Sequence, residues 1–257
     1  MPEFNAKQHP GPVLEITGVF PGSVAAFQST RQGGVSCGPY ASFNLGLHVG
    51  DDVNAVQANR ALLKAKTRSE RLVFMQQVHG AKVEIVTAPE MPLICDGLVT
   101  QIPGLALCVM TADCLPLLMA SKDGMVVAAV HCGWRGLQQN IVQEAVRVMR
   151  TMTDAPLQAW MGPAAGPESF EVGEDLYEIF TSEDPRLCVC FAARPDGKYL
   201  LNLYALTRIK LNAAGVPDCA ALQLDTIQEP ELFFSYRREK VTGRMAAVIC
   251  KKSAQAL

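Results

Sequence analysis

Three short fragments of the chain set a metal-type or nucleophilic side chain at the end of an apolar run. They are Gln77-Val78-His79-Gly80, Ala112-Asp113-Cys114-Leu115-Pro116 and Val130-His131-Cys132-Gly133. In each, the imidazole or thiol stands beside a helix breaker or a carboxylate, where a strand would end in a loop. Two imidazoles and a thiolate suit zinc, with ligands at about 2.0–2.3 Å and a fourth position open to water. Copper accepts the same donors, so residue type leaves the metal open. A different chemistry is nucleophilic, with Cys114 as thiolate and His131 or His79 as its base. A third reading is a buried structural cysteine and two ordinary histidines. The chain has only four histidines, which gives weight to two of them standing at strand ends.

The elements that must position these residues follow from hydrophobic periodicity. Met125 to Val130 is an unbroken apolar run, as in a strand buried on both faces. It breaks at His131-Cys132-Gly133-Trp134-Arg135-Gly136, and a helix follows through Leu137, Ile141, Val142, Ala145, Val146 and Met149. Leu105–Met110 and Leu115–Ala120 are two more apolar strands, hinged at Thr111 to Cys114. Further strands are expected at Ala25–Thr30, Arg71–Gln77, Ala81–Thr87, Gln158–Met161, Leu232–Tyr236 and Arg244–Cys250. Residues 33–46 form a loop rich in glycine, serine and asparagine. Helices are expected over Val53–Lys66, capped by Asp51 or Asp52, over Phe170–Phe180 and over Leu203–Ala214. Cys188-Val189-Cys190 reads as a strand whose two thiols share one buried face. Trp134 and Trp160 read as packing residues, with a base-stacking role also open to Trp134. Residues 1–12 form a flexible tail, and 13–257 a single α+β domain with a mixed sheet system.

Composition bounds the function. The 257 residues are 49% hydrophobic and 19% charged, with a formal charge of −2. That is enough apolar material for a sizeable core, without the basic face that sequence-independent nucleic-acid binding requires. No apolar run approaches the roughly 20 residues of a membrane helix. The amino terminus lacks the apolar core of a signal peptide. Nine cysteines, an odd number, sit mostly in apolar runs, which suits a reduced, cytoplasmic setting better than a disulfide framework.

The fragments QVHG, TADCLP, HCGWRG, GPAAG and FFSYRR with TGR, together with GGVSCGPYASFNLGLHVGDD, closely resemble the YfiH-type family over nearly the whole chain, from about Gly33 to Cys250. Its members were long called multicopper polyphenol oxidases or laccases and have since been assigned purine nucleoside phosphorylase activity. The resemblance implies a four-layer α/β/β/α sandwich, similar to that of a toxin deamidase domain. It also implies that His79, Cys114 and His131 bind a catalytic zinc, with copper as the other candidate. Cys132 stands where the family usually has alanine, Asn202 where aspartate is frequent and Asp225 where cysteine is common. Pro167 to Phe170 replaces a segment that often holds cysteine and tyrosine.

The implied reaction joins a purine nucleoside (adenosine, inosine or guanosine) and phosphate, and gives the base and ribose 1-phosphate. Adenosine deaminase and methylthioadenosine phosphorylase side activities are implied too. Phosphorolysis needs an anion site and a group to stabilise the leaving base. Arg135, Arg60, Arg237 and Arg244 are candidates for phosphate, because a guanidinium fork matches its oxygens. Arg135 leads, close to His131 and at the start of a helix. Asn44 is a candidate for ribose or phosphate. The usual zinc-deaminase signature is absent, so deamination would need another acid–base group, and Asp113 is nearest. The alternatives are a cysteine hydrolase acting on a cell-wall precursor, a copper-dependent polyphenol oxidase and a non-enzymatic metal-binding protein. Four histidines are few for several coppers.

Overall fold

The computed structural model describes residues 11–88 and 93–253. The expected tail lies outside the described residues as far as position 10. Gly11 and Pro12 are tied in, their carbonyls accepting from Thr30 Oγ1 at 2.9 Å and Thr30 N at 3.0 Å.

Two six-stranded mixed sheets form the frame of this α+β domain. The first runs, in spatial order, Val13–Glu15, Val24–Ser29, Met245–Lys251, Leu105–Thr111, Arg71–Gln76 and Leu93–Ile94. The second runs Cys219–Ala221, Leu157–Met161, Leu115–Ser121, Val127–Cys132, Gly97–Thr100 and Val83–Ile85. A small antiparallel sheet joins Glu171–Val172, Tyr199–Leu201 and Phe191–Ala193. All seven residues of Leu105–Thr111 and all seven of Leu115–Ser121 are buried, as the unbroken apolar runs require.

Period-two alternation divides the side chains of the central strands between two apolar clusters. Leu118, Ala120, Val127 and Ala129 pack with Val73, Leu107, Val109 and Ile249 of the first sheet. Leu115, Leu117, Ala128, Val130 and Cys132 pack instead with Ile141, Val142, Ala145 and Leu206 of the helices. Leu63 of the helix Val53–Thr67 packs on Ala106, Cys108 and Val248 of the first sheet. Asp52 caps that helix, its Oδ1 accepting from Ala55 N at 2.8 Å.

Several expected elements differ. The strand through His131 is Val127–Cys132, two residues later than expected, because the turn Ser121–Gly124 extends the hairpin and leaves Met125 46% exposed. The helix after it is broken into Trp134–Gln138 and Ile141–Arg150. Asn140 takes φ 63 at the break, and its side chain accepts from Lys210 Nζ at 2.8 Å. The expected helix 170–180 is Glu174–Glu183, with acidic Glu174 and Asp175 in its first turn. The strand expected at 81–87 keeps only Val83–Ile85. Leu232, Phe233 and Phe234 are buried but pair with no sheet among the described residues; they form a separate cluster before the short helix Tyr236–Glu239. Cys188-Val189-Cys190 closes a 3-10 helix, Pro185–Cys190. The buried pair is Leu187 and Cys190, three apart, while Cys188 and Val189 face solvent.

The glycine-rich loop is braced by Asn59, which is 1% exposed. Its Nδ2 donates to Ser36 Oγ, Ser42 O and Asn44 O, and its Oδ1 accepts from Val35 N. Asn59→Leu orphans buried carbonyls and should destabilise the protein by about 2–4 kcal/mol, read from the urea midpoint at unchanged m-value.

Candidate metal centre

The chain crosses from the first sheet to the second through Ala112-Asp113-Cys114. This puts Cys114 at the crossover, at one end of the strands whose side chains form the apolar cluster shared by both sheets. His131 shares a strand face with Val127 and Ala129, so it also points into that end. His79 arrives from the loop after Arg71–Gln76. Gln77 fixes that loop, its amide donating to Met110 O and accepting from Met110 N, both at 2.8 Å. The ligand atoms of His79, Cys114 and His131 all lie within 4.8 Å of one another. The two imidazoles meet edge to face, centroids 4.8 Å apart at 81°. Gly133 closes the back of the cluster: a Cβ there would stand 3.1 Å from Cys114 Sγ and 3.3 Å from His79 Cδ2.

Asp96, which the sequence reading missed, holds the cluster together. It is fully buried. Its carboxylate accepts from Val78 N at 3.1 Å, His79 N at 2.9 Å and Gly80 N at 2.8 Å, and faces His131 Nδ1 at 2.8 Å. Burial alone would raise its pKa; the His131 hydrogen bond and the backbone N–H groups bring it below the ordinary carboxylate value. An ionised Asp96 can only accept, so Nδ1 of His131 carries a proton facing it, and Nε2 is the nitrogen left to donate to the Cys114 thiolate or, with its own proton displaced, to offer a lone pair to a metal. The same bonds hold His79 at φ 60, a left-handed conformation unusual for histidine. One buried aspartate in Cys95-Asp96-Gly97 has no sequence signal that sets it apart from a surface aspartate.

Burial would raise the Cys114 thiol, but the charge of His131 and hydrogen bonds from both histidines outweigh it and lower its pKa. For His131 the opposite holds: burial lowers its pKa, and the Cys114 charge and Asp96 raise it further than burial lowers it. The cysteine is therefore poised as a thiolate. Cys132 is not a second thiol of the site. Its side chain alternates to the other face of the strand, into the helix-side core, and burial pushes its pKa up.

The cluster forms part of the wall of a cavity of about 570 Å³. Arg135, Arg237 and Arg244 also line it, each beside an aromatic ring that does the same. Arg135 lies 4.2 Å over Trp134, Arg237 4.6 Å over Phe170 and Arg244 6.0 Å from Tyr236. Arg237 Nη1 donates to Glu171 O, and Arg244 Nη1 to Thr242 O and Gly243 O. Arg60 and Asn44 are not among the lining residues. Arg60 donates to Leu45 O and stacks 3.8 Å over Phe74, and Asn44 is fully buried. Asp113 lines the cavity, but both its oxygens are engaged, by Thr226 Oγ1 at 2.7 Å and Arg237 N at 2.6 Å. Trp160 is core packing, 4% exposed, while Trp134 faces the cavity. Trp134–Gln138 is only five residues long, so a helix-terminus argument for anion binding at Arg135 loses its basis.

The role of Asp96 can be isolated. Asp96→Asn keeps the shape but removes the charge and leaves one oxygen to accept. If the cluster holds a divalent metal, affinity for an added ion such as zinc should fall about 10- to 100-fold, measured by competition with a chromophoric chelator.

Residues 25–252 match the family model described as multi-copper polyphenol oxidoreductase laccase. The chain is 42% identical over 232 residues to a purine nucleoside phosphorylase of Haemophilus influenzae, covering 89% of this chain and 95% of that one. It is 43% identical over 231 residues to the purine nucleoside phosphorylase YfiH of Escherichia coli, covering 89% and 94%. Among solved structures, a Neisseria meningitidis protein of the family DUF152 superposes with a TM-score of 0.89 at 36% identity, over 94% of this chain and all of that one. The match to a Bacillus licheniformis YfiH protein has a TM-score of 0.84 at 30% identity, over 89% and 93%. With the sequence match spanning nearly the whole chain and the fold agreeing, the chain belongs to the YfiH family of laccase-domain proteins.

Proposed function

We propose that the protein is a zinc-dependent purine nucleoside phosphorylase that converts adenosine, inosine or guanosine and phosphate to the base and ribose 1-phosphate. The observation that carries this reading is the convergence of His79, Cys114 and His131 in the wall of a cavity that Arg135, Arg237 and Arg244 also line. The names of the relatives support the same reaction. The frame we infer is the four-layer α/β/β/α sandwich, supported by the apolar cluster shared between the sheets and the two clusters on their helix-facing sides.

Zinc fits the donor set: two imidazoles, a thiolate, a charged partner behind His131 and no side chain at Gly133 to crowd the cluster. Bound there, it would supply a Lewis acid. The other work belongs to the chain. Asp96 fixes the tautomer of His131, the arginines give the cavity a positive field for phosphate, and Trp134 and Phe170 offer flat faces for a purine. Deamination and methylthioadenosine phosphorolysis would use the same cavity. Asp113, with both oxygens engaged, is a weak candidate for a deamination base. A polyphenol oxidase with several coppers finds little support, since the cluster takes two of only four histidines.

A second reading has a specific observation behind it: Cys114 and His131 side by side also fit a nucleophile and its base. Cys114→Ala separates the two. We expect phosphorolysis of adenosine to be lost together with most of the zinc at neutral pH, assayed by metal analysis and by ribose 1-phosphate formation. An inactive variant with full zinc would favour the nucleophile.

Arg135 separates phosphorolysis from deamination. Its side chain is exposed to the cavity and stacks on Trp134. Arg135→Lys keeps the charge but loses the fork, and should cut the phosphate-dependent rate about ten- to a hundredfold. Inosine formation from adenosine, which needs no phosphate, should change far less. Equal losses of both products would make Arg135 structural.

A further inference from the structure

His48 lines the same cavity but belongs to no metal-type cluster, and its ring nitrogens have no protein hydrogen-bond partner among the described residues. Its position is fixed by its neighbours. Asn44 Oδ1 accepts from Gly46 N and Arg244 N, both at 2.9 Å, and Asn44 Nδ2 donates to Gly46 O at 3.2 Å and Asp51 Oδ2 at 2.9 Å. Gly46 lies against Arg244 so closely that a Cβ there would stand 2.9 Å from Arg244 Cγ. On the other side of His48, Tyr40 Oη donates to Val49 O at 2.7 Å. The segment is pinned before and after the imidazole, beside the Arg244 wall of the cavity.

Of the other uncharged polar groups of the wall, two are less available, while the Trp134 indole N–H, like His48, has no hydrogen-bond partner among the described residues. Gln77 has both amide atoms on Met110, and the Thr111 hydroxyl is buried. Tyr236, 51% exposed, is the one competitor with a free hydroxyl. A departing purine develops negative charge, which N7 can share with a hydrogen-bond donor. We propose that His48 is a catalytic residue that donates its ring N–H to N7 of the departing purine, a reading that rests on the phosphorylase assignment.

In the step, the N9–C1′ bond breaks and its electron pair goes to the purine, while a phosphate oxygen forms the new bond to C1′. Hydrogenphosphate loses a proton and the purine gains one. His48 hands its N–H proton to N7 and recovers the proton that phosphate releases, so it ends as it began. His48 is exposed toward the cavity opening; its partial desolvation there, and then the charges of Arg244 and Arg60, lower its pKa from the ordinary histidine value. At neutral pH it therefore carries one N–H and one lone pair, as such a relay needs.

The test uses the zinc-loaded full chain with His48→Phe and His48→Gln, on inosine and on 7-methylguanosine. The methylated N7 of the second substrate carries the positive charge that makes its purine leave as a neutral base without a donor. For His48→Phe we expect kcat on inosine to fall about a hundredfold, with KM and zinc content little changed. The rate on 7-methylguanosine should stay within about threefold of wild type. His48→Gln, which keeps an N–H, should recover part of the inosine rate. Equal losses on both substrates, wild-type rates on both, or the same selective loss in Tyr236→Phe with His48 variants unaffected would each overturn the proposal. A wild-type enzyme that makes no ribose 1-phosphate from either substrate would overturn the phosphorylase reading itself. Turnover by wild type with equal losses in the variants overturns only the role of His48.

Discussion

The Asp96 carboxylate is the constraint on which the site depends. Taking a charge fully out of water is costly, and this one is compensated by three backbone N–H groups and the His131 imidazole. The three N–H groups belong to consecutive residues, Val78 to Gly80, so the loop wraps around the carboxylate and carries His79 with it. One charge thus sets the tautomer of one proposed ligand and the backbone of another. Its position is set in turn by the second sheet, where Asp96 O accepts from His131 N at 2.7 Å just beyond the pairing of Gly97–Thr100 with Val127–Val130.

The location of the site follows from the sheets. Alternate side chains of the two sheets share one apolar cluster, and such a cluster must end where the strands end. Cys114, His131 and His79 stand at that end, where polar groups can reach solvent while their supports stay buried. Asp113 makes the crossover from one sheet to the other possible. It takes φ 95, a conformation that costs energy outside glycine, held by its bonds to Thr226 and Arg237. The carboxylate beside Cys114 is thus part of the joint between the sheets.

Arginines around the cavity divide by what already holds them. Arg237 and Arg244 donate to backbone carbonyls, whereas Arg135 rests only on the Trp134 ring among the described residues. A guanidinium has five donors, so a carbonyl bond leaves others free. Arg60 is different. Turned to Leu45 O and the Phe74 ring, it supports the glycine-rich loop from beneath, and Asn44 does so from within.

The sequence by itself determined the central strands to within about two residues and the helices Val53–Thr67 and Leu203–Ala213; the three residues of the cluster it singled out as candidates, and the family resemblance tied them to one metal. Unbroken apolar runs and 3.6-residue patterns with end signals are local, so they hold in most tertiary contexts. It left undecided what depends on distant partners. Leu232-Phe233-Phe234 has the composition of a strand, but it pairs with no sheet among the described residues and packs as a separate cluster. Cys188 and Cys190 look alike in sequence; a 3-10 turn buries one and exposes the other. Asp96 lies 17 residues from His79 and 35 from His131 along the chain. Only the pairing of strands within the sheets brings these three together, because a carboxylate becomes a support for a metal site through the groups it meets, and those are set by the fold.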